Sequence, residues 1–310
     1  MKTKIYIYPQ AKPHVHDDTD IYKNTVPLSK KGILDHCEIV DPDSAEYFYM
    51  GQIGNDHFNL YNENSFQFLK ECPQKHICDV EGEGGRSIAP WLHDSIVTSM
   101  GPLKKYSNIN NLFTRPTFSH LLLDIVNNRD PSADFPFPKE KSFGFRGYLN
   151  CHSRAMMIYA LHQADHFKKE LHVNRKWSGP SEIGSAVQLD YIDTMLRNPI
   201  SLCPRGSGID SVRLIETCYF QRVPVLISDQ DYYLVGEDHY DTSFCFRIVG
   251  TDMTPDSMQK GLQNIYDTPI DELEERAHLA RKYFDEVIRE YFNDPTKYLF
   301  DWLRVKDEST

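Results

Sequence analysis

"LCPRGSGIDSVRLIETCYFQRVPVLISD", Leu202–Asp229, joins two apolar runs through a turn rich in glycine and arginine. "PISLCP" reads as a strand ending at Pro204, "DSVRLIETCYF" as an amphipathic helix and "VPVLIS" as the next strand. Strand, loop, helix and strand in that order make the repeating unit of a parallel sheet. In the loop, Gly206 and Gly208 admit positive φ and let a ligand come close to the backbone. Ser207, Asp210 and Ser211 are candidate caps, so free N–H groups and the positive end of the helix dipole face the loop and favour an anion. Arg205 and Arg213 add full charges. Glu216, one turn beyond Arg213, can accept hydrogen bonds from the two hydroxyls of a ribose. The stretch suits a nucleotide diphosphate. It equally suits an ordinary connection in which Arg213 and Glu216 form a surface ion pair. It lacks both the Gly-Lys-Ser/Thr ending of a P-loop and a full G-x-G-x-x-G, so neither an ATPase nor a Rossmann dehydrogenase is supported.

Working outward, "KIYIY" (4–8) alternates as a strand, and "PQAKPHVHDDTD" (9–20) is a Pro-punctuated polar loop. A helix start at Asp41 or Asp43 precedes the strand "EYFYM". "SFQFLKEC" is a helix candidate, "KHICDV" a strand and "EGEGGR" a loop. "RDPSADFPFPKE" (129–140) has three prolines in twelve residues and reads as a linker. After it the pattern restarts with "SFGFRG" and the helix "CHSRAMMIYALHQ". "TPIDELEERAHLARKYFDEVIREYF" reads as a long helix with a Thr-initiated cap, and "PTKYLFDWLR" as a short last one. The organisation expected is an α/β domain over 1–128, the linker 129–140, a second α/β domain over 141–292, and a helix over 293–310 that returns to the first domain.

The formal net charge of -11 argues against general nucleic-acid affinity while leaving room for a local basic pocket. No stretch approaches the ~18 apolar residues of a membrane span, and "MKTKIYIYPQ" is too short in apolar residues for a signal-peptide core. The seven cysteines are odd in number and sit mostly in apolar runs, which points to buried thiols. A soluble, intracellular chain is expected.

The opening stretch closely resembles the C-terminal motif of the exostosin-like glycosyltransferases (family 47), with its Pro-Arg-Gly element, Ser-x-Arg-x-x-Glu helix and Pro-Val strand. "KIYIYPQ", "VDPDSAEYFYM", "KHICDVEGEGG" and "SFGFRG" followed by Arg154 resemble further blocks of that family in the same order, over roughly residues 1 to 265. The resemblance implies a GT-B fold, two Rossmann-like α/β domains facing a cleft. It implies inverting transfer from a UDP-sugar to a glycan hydroxyl, on an oligosaccharide or a glycoprotein, with no metal and no other cofactor. It places Arg146, Arg154, Arg205 and Arg213 on the diphosphate, Glu216 on the ribose, and Gly206, Ser207 and Gly208 as backbone donors. Without a metal, arginines and helix-end amides must meet the charge on the leaving group.

Inversion needs one base on the acceptor hydroxyl. Glu83 matches the family's acidic residue before glycine, with Glu81 and Asp79 next; His14, His16, Asp17 and Asp18 are the rival acceptor-side set. Gln221-Arg222 stand where the family tends to have Gly-Cys, Tyr240 where Trp is common, and Glu83 precedes Gly-Gly in place of Trp-Gly. These departures touch the sugar pocket, leaving xylose, glucuronic acid and galactose as donors, xylose favoured. Two rivals stay open. Asp229-Gln230-Asp231 is a D-x-D, the metal mark of the GT-A fold, and a glycan- or nucleotide-binding module that has lost its chemistry would keep the same motif.

Overall fold

The computed structural model describes residues 2–9, 28–54, 63–83, 92, 94–100, 112–117, 119–174, 183–206, 208, 210–251 and 253–307. The chain divides into two compact units, Met1–Arg115 with Glu290–Thr310, and Pro116–Arg289.

The first unit is built from β1 (Thr3–Ile7), α1 (Lys30–His36), β2 (Cys37–Ile39), β3 (Tyr47–Gly54), β4 (His76–Glu83), β5 (Ile96–Met100) and β6 (Leu112–Arg115). All neighbouring strands are parallel, in the order β2-β1-β3-β4-β5-β6. The alternation of "TKIYI" buries Thr3, Ile5 and Ile7 and leaves Lys4 exposed. The helix expected over "SFQFLKEC" does not form. Its hydrogen bonds are turn-like, Leu69 N–H to Phe66 O at 3.1 Å. The Phe68 N–H goes to the Tyr8 hydroxyl at 3.1 Å, and Pro73 opens a separate 3-10 turn. Likewise only a 3-10 turn, Pro42–Ser44, follows Asp41.

The second unit holds α2 (His120–Asn128), β7 (Phe143–Tyr148), α3 (His152–Gln163), β8 (Lys169–Asn174), α4 (Ala186–Arg197), β9 (Ile200–Pro204), α5 (Val212–Tyr219), β10 (Val223–Ser228), β11 (Phe246–Val249), α6 (Pro255–Asp267) and α7 (Ile270–Tyr283). Its sheet is also parallel throughout, in the order β8-β7-β9-β10-β11. Counted by order along the chain this is 2-1-3-4-5, the doubly wound order in which the winding reverses between the first strand and the third. "ISLCP" and "VPVLIS" are buried along their whole length, as strands covered on both faces must be.

The boundary falls at Arg115/Pro116, so α2 and the 129–140 segment both belong to the second unit. The reason is local: Ser119 caps α2 by accepting from Leu122 N–H at 3.0 Å, and it donates to Glu216 at 2.5 Å. The long terminal helix forms and runs without interruption from Ile270 to Asn293. α7 passes through a π-helical turn, Phe284–Ile288, into α8 (Arg289–Asn293), and α9 (Pro295–Asp307) follows. Thr268 does not cap α7; its hydroxyl donates to Asn264 O at the end of α6, at 3.2 Å. Helix α6 itself starts on a capping box between Thr254 and Ser257. Leu299, Phe300, Trp302 and Leu303 of α9 pack into the first unit's core with Ile5, Tyr49 and Phe113. At roughly 1.5–3 kcal/mol for each fully buried large side chain, that stripe is what fixes α9 in place. All seven cysteines are free, five of them buried, and burial pushes the Cys203 thiol up to about 11. No described helix is long and apolar enough to cross a membrane.

Candidate functional site

In open parallel sheets, ligands settle outside the carboxyl ends of the strands where the winding reverses. In the second unit that point lies between β7 and β9, and the arginines singled out from the sequence gather there. β7 delivers Arg146, the turn after β9 delivers Arg205, α3 carries Arg154 and α5 carries Arg213. Arg154 and Arg213 share the ring of Phe145, their guanidinium carbons 6.0 and 4.7 Å from its centroid. Arg213 also lies over the Tyr191 ring at 4.8 Å. Burial, and then the charge of Arg213 nearby, lower the pKa of Arg154.

The four arginines divide into two kinds by where their N–H groups go. Arg154 donates from Nε to Arg205 O at 2.8 Å and from Nη1 to Tyr148 O at 2.7 Å. It ties the turn after β9 to the end of β7. Arg213 donates from Nη2 to Arg146 O, and the glycine at 147 leaves room for the Phe145 ring on which Arg213 rests. A Cβ there would meet the Phe145 ring at 2.9 Å and Arg213 Nη2 at 3.5 Å. Arg146 and Arg205 instead point their charge at carboxylates. Arg146 pairs with Asp190 of α4, and Arg205 Nη1 donates to Asp229 Oδ1 at 2.9 Å. The Arg205 Nε is buried and finds no hydrogen-bond partner among the described residues. An orphan cationic donor of that kind costs about 1–3 kcal/mol, which an arriving anion would recover.

Gly206 is not in the left-handed region, contrary to expectation; positive φ among the described glycines is confined to Gly51, Gly184 and Gly236. What Gly206 leaves is room, because an added Cβ would meet only Arg154 Nη2 at 3.7 Å and Gly208 N at 4.0 Å. Ser211 occupies the N-cap of α5 without a side-chain cap bond. Ser207 lies outside the described residues. Glu216 is not half of a surface ion pair. It is buried, Oε1 accepting from Ser119 and Oε2 from Tyr191, both at 2.5 Å. Burial raises its pKa, against the opposing pull of Ser119, Tyr191 and Arg213. It keeps its place beside the arginines because the Tyr191 ring that bonds it also lies under Arg213.

The C-terminal end of α5 explains the Gln221-Arg222 departure. Gln221 N–H bonds Cys218 O and Arg222 N–H bonds Thr217 O, both at 3.1 Å, and Gln221 has φ of 54°. This is a Schellman turn, whose left-handed residue is usually glycine. Arg222 is not a pocket residue. It is 1% exposed, and its guanidinium donates to the carbonyls of Phe135, Pro136, Met195, Leu196, Phe220 and Gln221 at 2.9–3.3 Å. Burial lowers its pKa to about 10, leaving it charged.

The D-x-D carboxylates are engaged by cations. Asp229 pairs with Arg205, while Asp231 pairs with Arg247, which also holds Glu237 at 2.8 Å and Tyr232 O at 3.0 Å. Carboxylates neutralised one by one by arginines are a poor donor set for a divalent cation. Among the described residues no group of three or more His, Cys, Asp and Glu is placed to hold a metal ion.

In the first unit, Asp79 is fully buried in the middle of β4. It accepts from the Tyr49 hydroxyl at 2.8 Å and from the Thr98 hydroxyl. A carboxylate at that depth, with both oxygens engaged, cannot reach an acceptor hydroxyl, which corrects its place among the candidate bases. Glu81 and Glu83 continue the same strand, their side chains outside the described residues. His14, His16, Asp17 and Asp18 also lie outside them. Sequence reasoning missed Ser119, Tyr191 and Asp190. None carries a motif, and only the strand order brings their helices to this point.

No family model matches the chain, and no curated protein matches it. Among solved structures it is similar to an α1,3-fucosyltransferase, at 10% identity and a TM-score of 0.38, covering 89% of this chain and 81% of that one. It is similar to a glycosyltransferase from Rickettsia africae ESF-5, at 12% identity and a TM-score of 0.39, covering 99% and 98%. It is also similar to CalG4, the calicheamicin glycosyltransferase, at 9% identity and a TM-score of 0.38, covering 98% and 99%. Likenesses at these scores decide nothing about donor, acceptor or chemistry.

Proposed function

We propose that the chain is a glycosyltransferase of GT-B type whose second unit binds the diphosphate of a sugar nucleotide. The observation that carries this reading is the cationic turn at the winding reversal, where Arg146, Arg154, Arg205 and Arg213 converge and Arg205 retains a buried donor without a partner among the described residues. Four guanidinium groups beside a glycine turn suit a pyrophosphate better than a single carboxylate, and they provide metal-free stabilisation of a leaving diphosphate. Glu216 is assigned to the ribose; the nucleoside hydroxyls would exchange with those of Ser119 and Tyr191. By resemblance, the donor is a UDP-sugar, with xylose favoured over glucuronic acid and galactose. Transfer proceeds with inversion to a hydroxyl of a glycan.

The base is assigned to the first unit, Glu83 ahead of Glu81, with His14, His16, Asp17 and Asp18 as the alternative set. A thermal-shift screen against UDP, GDP, TDP and their sugars tests the donor class, since a ligand that binds only the folded state raises Tm. UDP and UDP-sugars should stabilise; stabilisation by GDP alone overturns the donor assignment. Glu83→Gln should leave UDP affinity nearly intact and lower turnover by about 100-fold or more. Near-normal turnover moves the base to the 14–18 loop.

A further inference from the structure

We propose that Asp229 and Asp190 are resident counter-ions of the anion site, occupying Arg205 and Arg146 until a diphosphate displaces them. The inference rests on the reading of this turn as a diphosphate site and adds two residues that compete with the ligand.

The site contains two classes of arginine contact. Arg154 and Arg213 donate to backbone carbonyls at the ends of β7 and β9, and carbonyls of a buried sheet have nowhere to go. Arg205 and Arg146 donate to side-chain carboxylates. In each of these pairs the carboxylate is the wetter partner. Asp229 is 36% exposed against 19% for Arg205, and Asp190 is 46% exposed against 17% for Arg146. A rotamer change takes either aspartate into water while the guanidinium stays in place. The neighbouring pair is built differently: Arg247 is gripped by Asp231, Glu237 and Tyr232 O together, a network with no single leaving partner.

A phosphate oxygen offers a guanidinium the same charge-assisted geometry as a carboxylate, so the exchange conserves the bond type on the protein side. The Arg205 Nε, for which neither Asp229 nor any other described residue is a partner, gains a bond when a group with more oxygens arrives. Two consequences follow for a transferase. Affinity for any diphosphate is held below what the four arginines alone would give, and after transfer the two aspartates re-pair and help expel the nucleoside diphosphate. Asp229 and Asp190 are positioning residues in this scheme and touch no reacting atom.

The test is isothermal titration of the full chain with inorganic pyrophosphate, UDP, UMP and uridine, in wild type, Asp229→Asn, Asp190→Asn and the double variant. Asn keeps the shape and removes the charge, and Asp229→Ser serves if an Asn variant folds poorly. Each single change should tighten pyrophosphate and UDP by about three- to tenfold, UMP less, and leave uridine unmoved. A merely structural role would shift all four ligands together or none. Unchanged or weakened pyrophosphate binding in both single variants overturns the inference. UDP binding in wild type without tightening in the variants sinks the counter-ion role and leaves the nucleotide reading standing. Tightened pyrophosphate without binding of any nucleotide does the reverse. Failure of every form to bind pyrophosphate or UDP removes both.

Discussion

Among the described residues, each unit buries one carboxylate under the same pair of donors, a tyrosine and a small hydroxyl. In the first it is Asp79, held by Tyr49 and Thr98; in the second it is Glu216, held by Tyr191 and Ser119. The chemistry of the clamp is identical, but the setting is not. Asp79 sits inside a strand with sheet on both sides, its donors supplied by β3 and β5. Glu216 sits on a two-turn helix behind a cationic turn, and one of its donors carries Arg213 on its ring. A buried, doubly bonded acid is therefore no functional mark by itself. What distinguishes Glu216 is that its neighbourhood leads to a cluster of arginines, through the Tyr191 ring shared with Arg213.

That contrast can be broken by substitution. Asp79→Ala would leave two buried hydroxyls without an acceptor and should cost about 3 kcal/mol in urea unfolding, with UDP affinity unchanged in native buffer. Lost affinity at intact stability would put Asp79 back in the site. Arg205→Ala should do the opposite, lowering turnover by about 100-fold with Tm nearly unchanged, because its loss removes charge stabilisation and little packing. Glu216→Gln should fall between them and weaken UDP by about tenfold.

Its stability profile has a defined sign. Burial raises the folded pKa of Glu216, so the folded chain holds that proton to a higher pH than the unfolded chain. Stability from this group is present below the ordinary carboxylate value and lost as pH rises through the folded one. The Tm difference between Glu216→Gln and wild type should therefore move in favour of the variant as pH is raised from about 4 to about 7. A flat difference would mean that Glu216 ionises as an exposed carboxylate does.

Much of this was legible in the residues. Continuous apolar runs such as "VPVLIS" and alternating ones such as "KIYIY" marked buried and half-buried strands, and the glycine–arginine turn marked the point where the four arginines gather. What periodicity could not reveal was the spending of N–H groups. Arg154 and Arg213 look like plain phosphate ligands in a list of basic residues, yet part of each guanidinium laces the sheet ends together. That role depends on β7 lying beside β9, although α3, β8 and α4 come between them in the chain. Asp190 and Tyr191 are adjacent in α4, one taking Arg146 and the other Glu216, and no local pattern announces that. The "SFQFLKEC" segment closes only isolated turns, Leu69 N–H to Phe66 O and Cys72 N–H to Phe68 O, before Pro73 opens a 3-10 turn. Helix α6 differs in that its start signal, the Thr254-to-Ser257 capping box, is local.

The guanidinium of Arg222 joins three stretches that are remote in sequence, 135–136, 195–196 and 220–221. In a chain whose cysteines are all thiols, this single side chain serves as a non-covalent rivet, indifferent to reducing agents. A lysine ammonium, with three protons on one atom, has too few and too closely spaced donors to reproduce it.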